Sequence, residues 1–169
     1  TGVQKQGPLS CVADILGDAR LEIVAGSTAY QLPRPPAGVS SRADCPAPVG
    51  LTAEEVAFCD GKLLTVWQGR LASGGALPTN QREGYCAIAD VWGANAAVRP
   101  GPANPLDGQP EVVMIAKGLV VVFDGKTGTR IFFADMAFGN DGGAPNVDDF
   151  DGDGFPEVGS AGEVAYTLY

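Results

Sequence analysis

An acidic turn that recurs three times constrains this chain more than any other feature. The segments are "CVADILGDARLEIVAGSTAYQL" (11–32), "CAIADVWGANAAVRPGPANPLDGQPEVVMIAKGLVVVFDG" (86–125) and "PNVDDFDGDGFPEVGSAGEVAYTLY" (145–169). Each runs from an apolar residue to Asp, through a turn with Gly and Asp, to Glu and a valine-rich strand. A glycine and a further strand follow. Asp14, Asp90 and Asp149 mark the same point in each unit, 76 and then 59 residues apart. A unit this small cannot bury its own apolar face, so such units must stack on one another.

The unequal spacing is explained by two insertions. "PRPPAGVSSRADCPAPVGLTAEE" (33–55) interrupts the first unit, and "ANAAVRPGPANPL" (94–106) splits the acidic turn of the second. Within the first insertion, "TAEE" has the form of a capping box that starts a short helix. A further strand follows in two units, where "CDGKLLTVWQ" (59–68) matches "FDGKTGTRIFF" (123–133): Asp-Gly-Lys in a tight turn, then alternation suited to a half-buried strand. The expectation is an all-β chain of about three four-stranded antiparallel meanders, with units at about 11–68, 86–133 and 145–169. Repeated meanders of this kind stack radially in β-propellers. The third unit ends before its own Asp-Gly-Lys turn, while residues 1–6, "TGVQKQ", read in phase as a closing strand. Three blades are fewer than the roughly four to eight of closed propellers. The expectation is a partial ring, or one completed by other chains or copies.

Charge and composition narrow the chemistry. Eleven basic against twenty acidic residues give a net charge of −9, which argues against nucleic acid as a partner. No apolar run approaches the ~18 residues of a membrane span. Histidine is absent, which removes Ser-His-Asp and Cys-His catalysis and the commonest zinc ligand. Four cysteines permit three pairings. Cys45 and Cys59 flank the end of the first insertion, while Cys11 and Cys86 open equivalent strands, so repeat symmetry favours Cys45–Cys59 and Cys11–Cys86. Such pairing places the chain in an oxidising compartment, secreted or at the cell surface.

The third acidic turn reads Asp149-x-Asp151-x-Asp153-Gly154-x-x-Glu157. Carboxylates at positions one, three, five and nine, with glycine at six for the sharp turn, wrap a hard cation in oxygen. Phe155 at position seven offers its carbonyl. Calcium fits better than magnesium, which keeps its waters. An EF-hand would need an acidic residue at position twelve, where Ser160 stands, and flanking helices, which "PEVGSAGEVAYTLY" does not supply. The first turn is a worn version, with Asp14, Asp18 and Glu22 but Leu16 at a ligand position. The second keeps Asp90 and, beyond its insertion, Asp107 and Glu111. Both are weaker candidate calcium sites, because the number of charged ligands sets affinity.

These residues resemble the FG-GAP/VCBS repeat family, the blades of integrin-α-like β-propellers. Phe138-Gly139, Gly143-Ala144-Pro145 and "DFDGDGFPE" carry the resemblance in the third unit. The resemblance implies a propeller of secreted or surface proteins, with calcium held by Asp149, Asp151, Asp153 and Glu157. The expected function is a non-catalytic, calcium-binding scaffold for binding, adhesion or assembly. A protein or glycan ligand would meet the loops, with Trp92 a candidate contact residue and Trp67 a core residue. The alternative is a carbohydrate-binding propeller or part of a polysaccharide-active enzyme. No carboxylate pair separate from the cation ligands can be located for glycosidic chemistry.

Overall fold

The computed structural model describes residues 9–137, 142–162 and 165–169. The first residues, 1–6, and the Phe138-Gly139 pair lie outside them. The chain is all-β, in three antiparallel sheets that follow one another in sequence and none of which closes on itself.

Sheet 1 joins β1 (Ser10–Ala13), β2 (Glu22–Ala25), β3 (Thr28–Gln31) and β4 (Leu64–Gln68) in sequence order. Between β3 and β4 runs the proline-rich excursion, which holds α1 (Ala53–Cys59). Thr52 caps this helix: its hydroxyl accepts the Glu55 N–H while Glu55 accepts the Thr52 N–H, a complete capping box. A Cys45–Cys59 disulfide ties the helix back across 14 residues. Sheet 2 joins β5 (Tyr85–Ala89), β6 (Glu111–Ala116), β7 (Leu119–Asp124) and β8 (Arg130–Asp135). Sheet 3 has three strands, β9 (Asn146–Asp148), β10 (Glu157–Ala161) and β11 (Tyr166–Leu168), with β10 central.

The first strands of the sheets lie side by side, β1 beside β5 and β5 beside β9. A second disulfide, Cys11–Cys86, joins the first two, so the pairing favoured by repeat symmetry is the one formed. At the far edge, Arg70 after β4 and the turn before β8 exchange backbone bonds: Arg70 N donates to the Gly128 carbonyl, and Arg130 N to that of Arg70.

Side-chain alternation explains the layering. Every residue of β6 is buried, and so is every residue of β7 before the half-buried Asp124, because sheet 2 is covered on both faces. One face, with Val112, Met114, Val121 and Phe123, packs with Ile15, Val24, Ala29 and Trp67 of sheet 1. The opposite face, with Val113, Ile115, Val120 and Val122, packs with Val158, Val147 and Tyr169 of sheet 3. A sheet buried on both sides reads as a continuous apolar run, which is the pattern of "EVVMIAKGLVVVFD". Trp67 is a core residue, its indole N–H donating to the Gly125 carbonyl at 2.8 Å.

Candidate metal site

The three acidic turns lie in the same place, between the first and second strands of their sheets, and share one hydrogen-bond frame. The leading aspartate folds the loop around itself. Asp149 accepts N–H bonds from Gly152, Asp153 and Gly154 at 2.7–3.0 Å. Asp14 does the same with Gly17, Asp18 and Ala19, and Asp90 accepts from Gly108. The fifth-position aspartate then accepts the N–H two residues on: Asp153 from Phe155, Asp18 from Arg20, Asp107 from Gln109. Finally, the strand glutamate reaches back to the residue after the leading aspartate. Glu157 accepts from Phe150, Glu22 from Ile15, and Glu111 from Val91 and Trp92. The position after the fifth aspartate needs positive φ, supplied by Gly154 (89°) and Gly108 (79°). In the first turn Ala19 is held there at 63°, at a cost of about 1 kcal/mol.

With the backbone frame common, the way the carboxylates converge distinguishes the turns. In the third, Asp149, Asp151 and Asp153 offer one oxygen each, all within 4.8 Å of one another, in an exposed loop. Asp151 adds a bond from the Asp153 N–H at 3.0 Å. Glu157, half-buried at the start of β10, has one oxygen on Phe150 and does not join the converging set. Phe155 closes the loop through its N–H bond to Asp153. Three converging carboxylates can supply oxygen donors to a hard divalent cation.

The first turn differs, because a side-chain amide lies among its carboxylates. Gln31 on β3 pairs with Glu22 across the strands. Its Nε2 donates to Glu22 Oε1 and, at 3.4 Å, to Asp18 Oδ2. Glu22 is fully buried, and both its oxygens have donors. The oxygens of Asp14, Asp18 and Glu22 are therefore all engaged within the protein. Gln31 carries no sequence signal, since its role depends on the β2–β3 register.

The second turn shows the opposite. Asp90 Oδ1 and Gln109 Oε1 are buried without a hydrogen-bond partner among the described residues. Beside them, Glu111 is only 5% exposed. Burial is the main reason its carboxyl is pushed up to about 8; the N–H bonds from Val91 and Trp92 pull it down, while the charges of Asp90 and Asp107 push it further up. Buried acceptors left unpaired cost about 1–3 kcal/mol each. Asp90, Asp107 and Glu111 do not converge as the third-turn carboxylates do; what marks this turn is two buried oxygens with nothing to accept. Gln109 was not among the residues singled out by the sequence pattern.

The second insertion and the third turn enclose a cavity of about 150 Å³ between sheets 2 and 3. Its walls include Trp92, Arg99, Phe132, Phe155, Glu157 and Tyr169. The Trp92 and Phe132 rings lie 5.3 Å apart, and the Arg99 guanidinium sits 5.1 Å from the Phe132 centroid. Trp92 is 8% exposed, and its indole N–H has no partner among the described residues.

No protein-family profile matches the chain, and no curated protein or solved structure matches it.

Proposed function

We propose that this protein is a non-catalytic, calcium-binding β-propeller module of the FG-GAP/VCBS kind, acting outside the cytoplasm as a binding or assembly scaffold. The observation that carries the reading is the convergence of Asp149, Asp151 and Asp153 at the head of sheet 3. Glu157, at the start of β10, and the Phe155 carbonyl are the remaining candidate ligands. The second turn is a further calcium site, held by Asp90, Asp107 and Glu111 with Gln109 as an added oxygen ligand. Its buried, unpartnered oxygens support this. The first turn is the metal-free member of the set, closed by Gln31 instead. Calcium here is structural: an ion bound only by the folded loop adds its binding energy to folding.

The radial reading rests on the first strands lying side by side and on sheet 2 being covered on both faces. Two disulfides suit an oxidising compartment. Ligand contact falls on the loops, and the cavity lined by Trp92, Arg99 and Phe132 offers it a recess. Aromatic walls with one cation beside them suit a protein side chain or a glycan ring better than a nucleic acid.

Calorimetric titration of chelator-treated protein with calcium tests the reading. Heat of binding is expected, with affinity falling tenfold or more in Asp151→Asn. At a calcium concentration about a hundred times the dissociation constant, stability should rise by about 2.7 kcal/mol per site. Wild-type protein that shows neither heat nor thermal shift would overturn the metal assignment.

A further inference from the structure

Each sheet has two chemically distinct faces, and the chain shows both kinds in use. One kind carries a cross-strand row of the form aliphatic–aliphatic–aromatic. In sheet 2 the row is Ile88–Val112–Phe123, and in sheet 3 it is Val147–Val158–Tyr169. Both rows pack against the preceding sheet. The opposite kind carries the residue after the leading aspartate of each acidic turn. Ile15 of sheet 1 and Val91 of sheet 2 occupy that position, and both are buried against the following sheet.

Two faces remain, one of each kind. Sheet 1 carries the row Val12–Ile23–Tyr30, which matches the other two position for position. Val12 is 57% exposed, and Ile23 and Tyr30 are half-buried. Sheet 3 carries Phe150, the counterpart of Ile15 and Val91, at 45% exposure. Tyr166 and Leu168 flank it, each about half exposed, with the Phe150 and Tyr166 rings edge to face at 6.4 Å. The residue type that is buried in two turns is therefore bared in the third, where no following sheet lies against it among the described residues.

We propose that these two faces are partners: the outer face of sheet 3 seats the Val12–Ile23–Tyr30 row of a second copy of this chain. The inference rests on reading the sheets as blades. In both interfaces within the chain, a face of one kind meets a face of the other, and the free pair is complementary in the same sense. The contact is heterologous, so copies join head to tail and the arrangement must close or grow. Two copies bring six sheets together, within the roughly four to eight of closed propellers. Three would bring nine, beyond that range. A closed two-chain ring also covers apolar side chains that a lone copy leaves to water.

Native mass measurement on the intact chain tests this, with Val12→Asp and Leu168→Asp as variants, one on each face. Wild type is expected at two chains. Each variant alone is expected at one chain, since every interface in its ring would carry the charge. Mixed, the two variants are expected to recover a two-chain species, because one of its two interfaces pairs two unaltered faces. Thr65→Lys and Phe150→Lys, on the same faces, repeat the test if either first variant fails to keep its far-ultraviolet dichroism. Wild type at one chain at every concentration would overturn the proposal, as when a further sheet of a longer protein fills the place. So would a two-chain species that survives Val12→Asp, or variants that stay apart when mixed. Bound calcium, read from the same spectra, reports the metal reading separately, so either can fail without the other.

Discussion

Replacing Gln31 by Ala removes the amide that serves the first acidic turn. Its Nε2 is the sole donor to Glu22 Oε1 among the described residues and adds a weaker bond to Asp18. Glu22 is fully buried, so water cannot replace that donor without opening the sheet. A hydrogen bond to a charged group contributes about 1.5–3 kcal/mol, and stranding a buried acceptor costs a similar amount. The second bond, at 3.4 Å, adds little. The expected loss is about 2–3 kcal/mol, which in a chain of this length lowers the thermal midpoint by roughly 5–10 °C. Thermal unfolding followed by circular dichroism in chelator measures it, so that ion binding at the other turns does not contribute. The same substitution in a Glu22→Gln background should cost at least about 1 kcal/mol less, because the stranded group is then uncharged. A loss below about 0.5 kcal/mol, or equal losses in both backgrounds, would refute the view that the amide stands in for a cation.

Two further outcomes follow from the same geometry. Burial first, and then the neighbouring aspartates, hold the Glu111 carboxyl at about 8 against an ordinary 4.5. The folded state without metal therefore binds a proton that the unfolded chain has released, and stability falls as pH rises from about 4.5 to about 8. The full amplitude is on the order of 5 kcal/mol; Glu111→Gln should flatten the profile measured in chelator, and calcium bound at Glu111 should flatten it as well. Gly128 and Gly152 both have positive φ, at 67° and 79°. A β-carbon on Gly128 would meet the Trp67 ring at 2.5 Å, whereas one on Gly152 meets nothing. Gly152→Ala should cost about 1 kcal/mol of backbone strain, and Gly128→Ala a further 1–3 kcal/mol from overpacking, both read from denaturant midpoints.

What could be read from the sequence was what is fixed by neighbours in the chain. The acidic turns are built by N–H groups within five residues of Asp14 and Asp149, so their spacing alone exposes them. The capping box at Thr52 and Glu55 is equally local. The unbroken apolar run of β6 and β7 is the mark of a sheet covered on both faces, although it does not say what covers it. Legibility ended where register and burial decide the outcome. Asp14, Asp18 and Glu22 looked like a thinner version of the third turn, yet Gln31, brought opposite by strand pairing, engages two of them. Nor does the sequence show that Asp90 Oδ1 and Gln109 Oε1, on either side of the 94–106 insertion, are buried without a partner among the described residues. Trp92 stood at a loop position and so read as a candidate contact; stacking on Phe132 places it in a cavity wall.

The Cys11–Cys86 bridge sets an order in which the molecule can come apart. It joins first strands 75 residues apart, so sheets 1 and 2 stay tethered even when their packing loosens. Sheet 3 hangs on side-chain packing and on the Tyr169 hydroxyl's bond to the Asp135 carbonyl, with three short strands of its own. Local opening begins where such restraints are fewest. In amide exchange the protons of β9–β11 should therefore trade with solvent before those of β6 and β7. The turn with the strongest donor set for calcium crowns the sheet that is held least firmly, so the ion would act as a latch on the part of the protein most ready to let go.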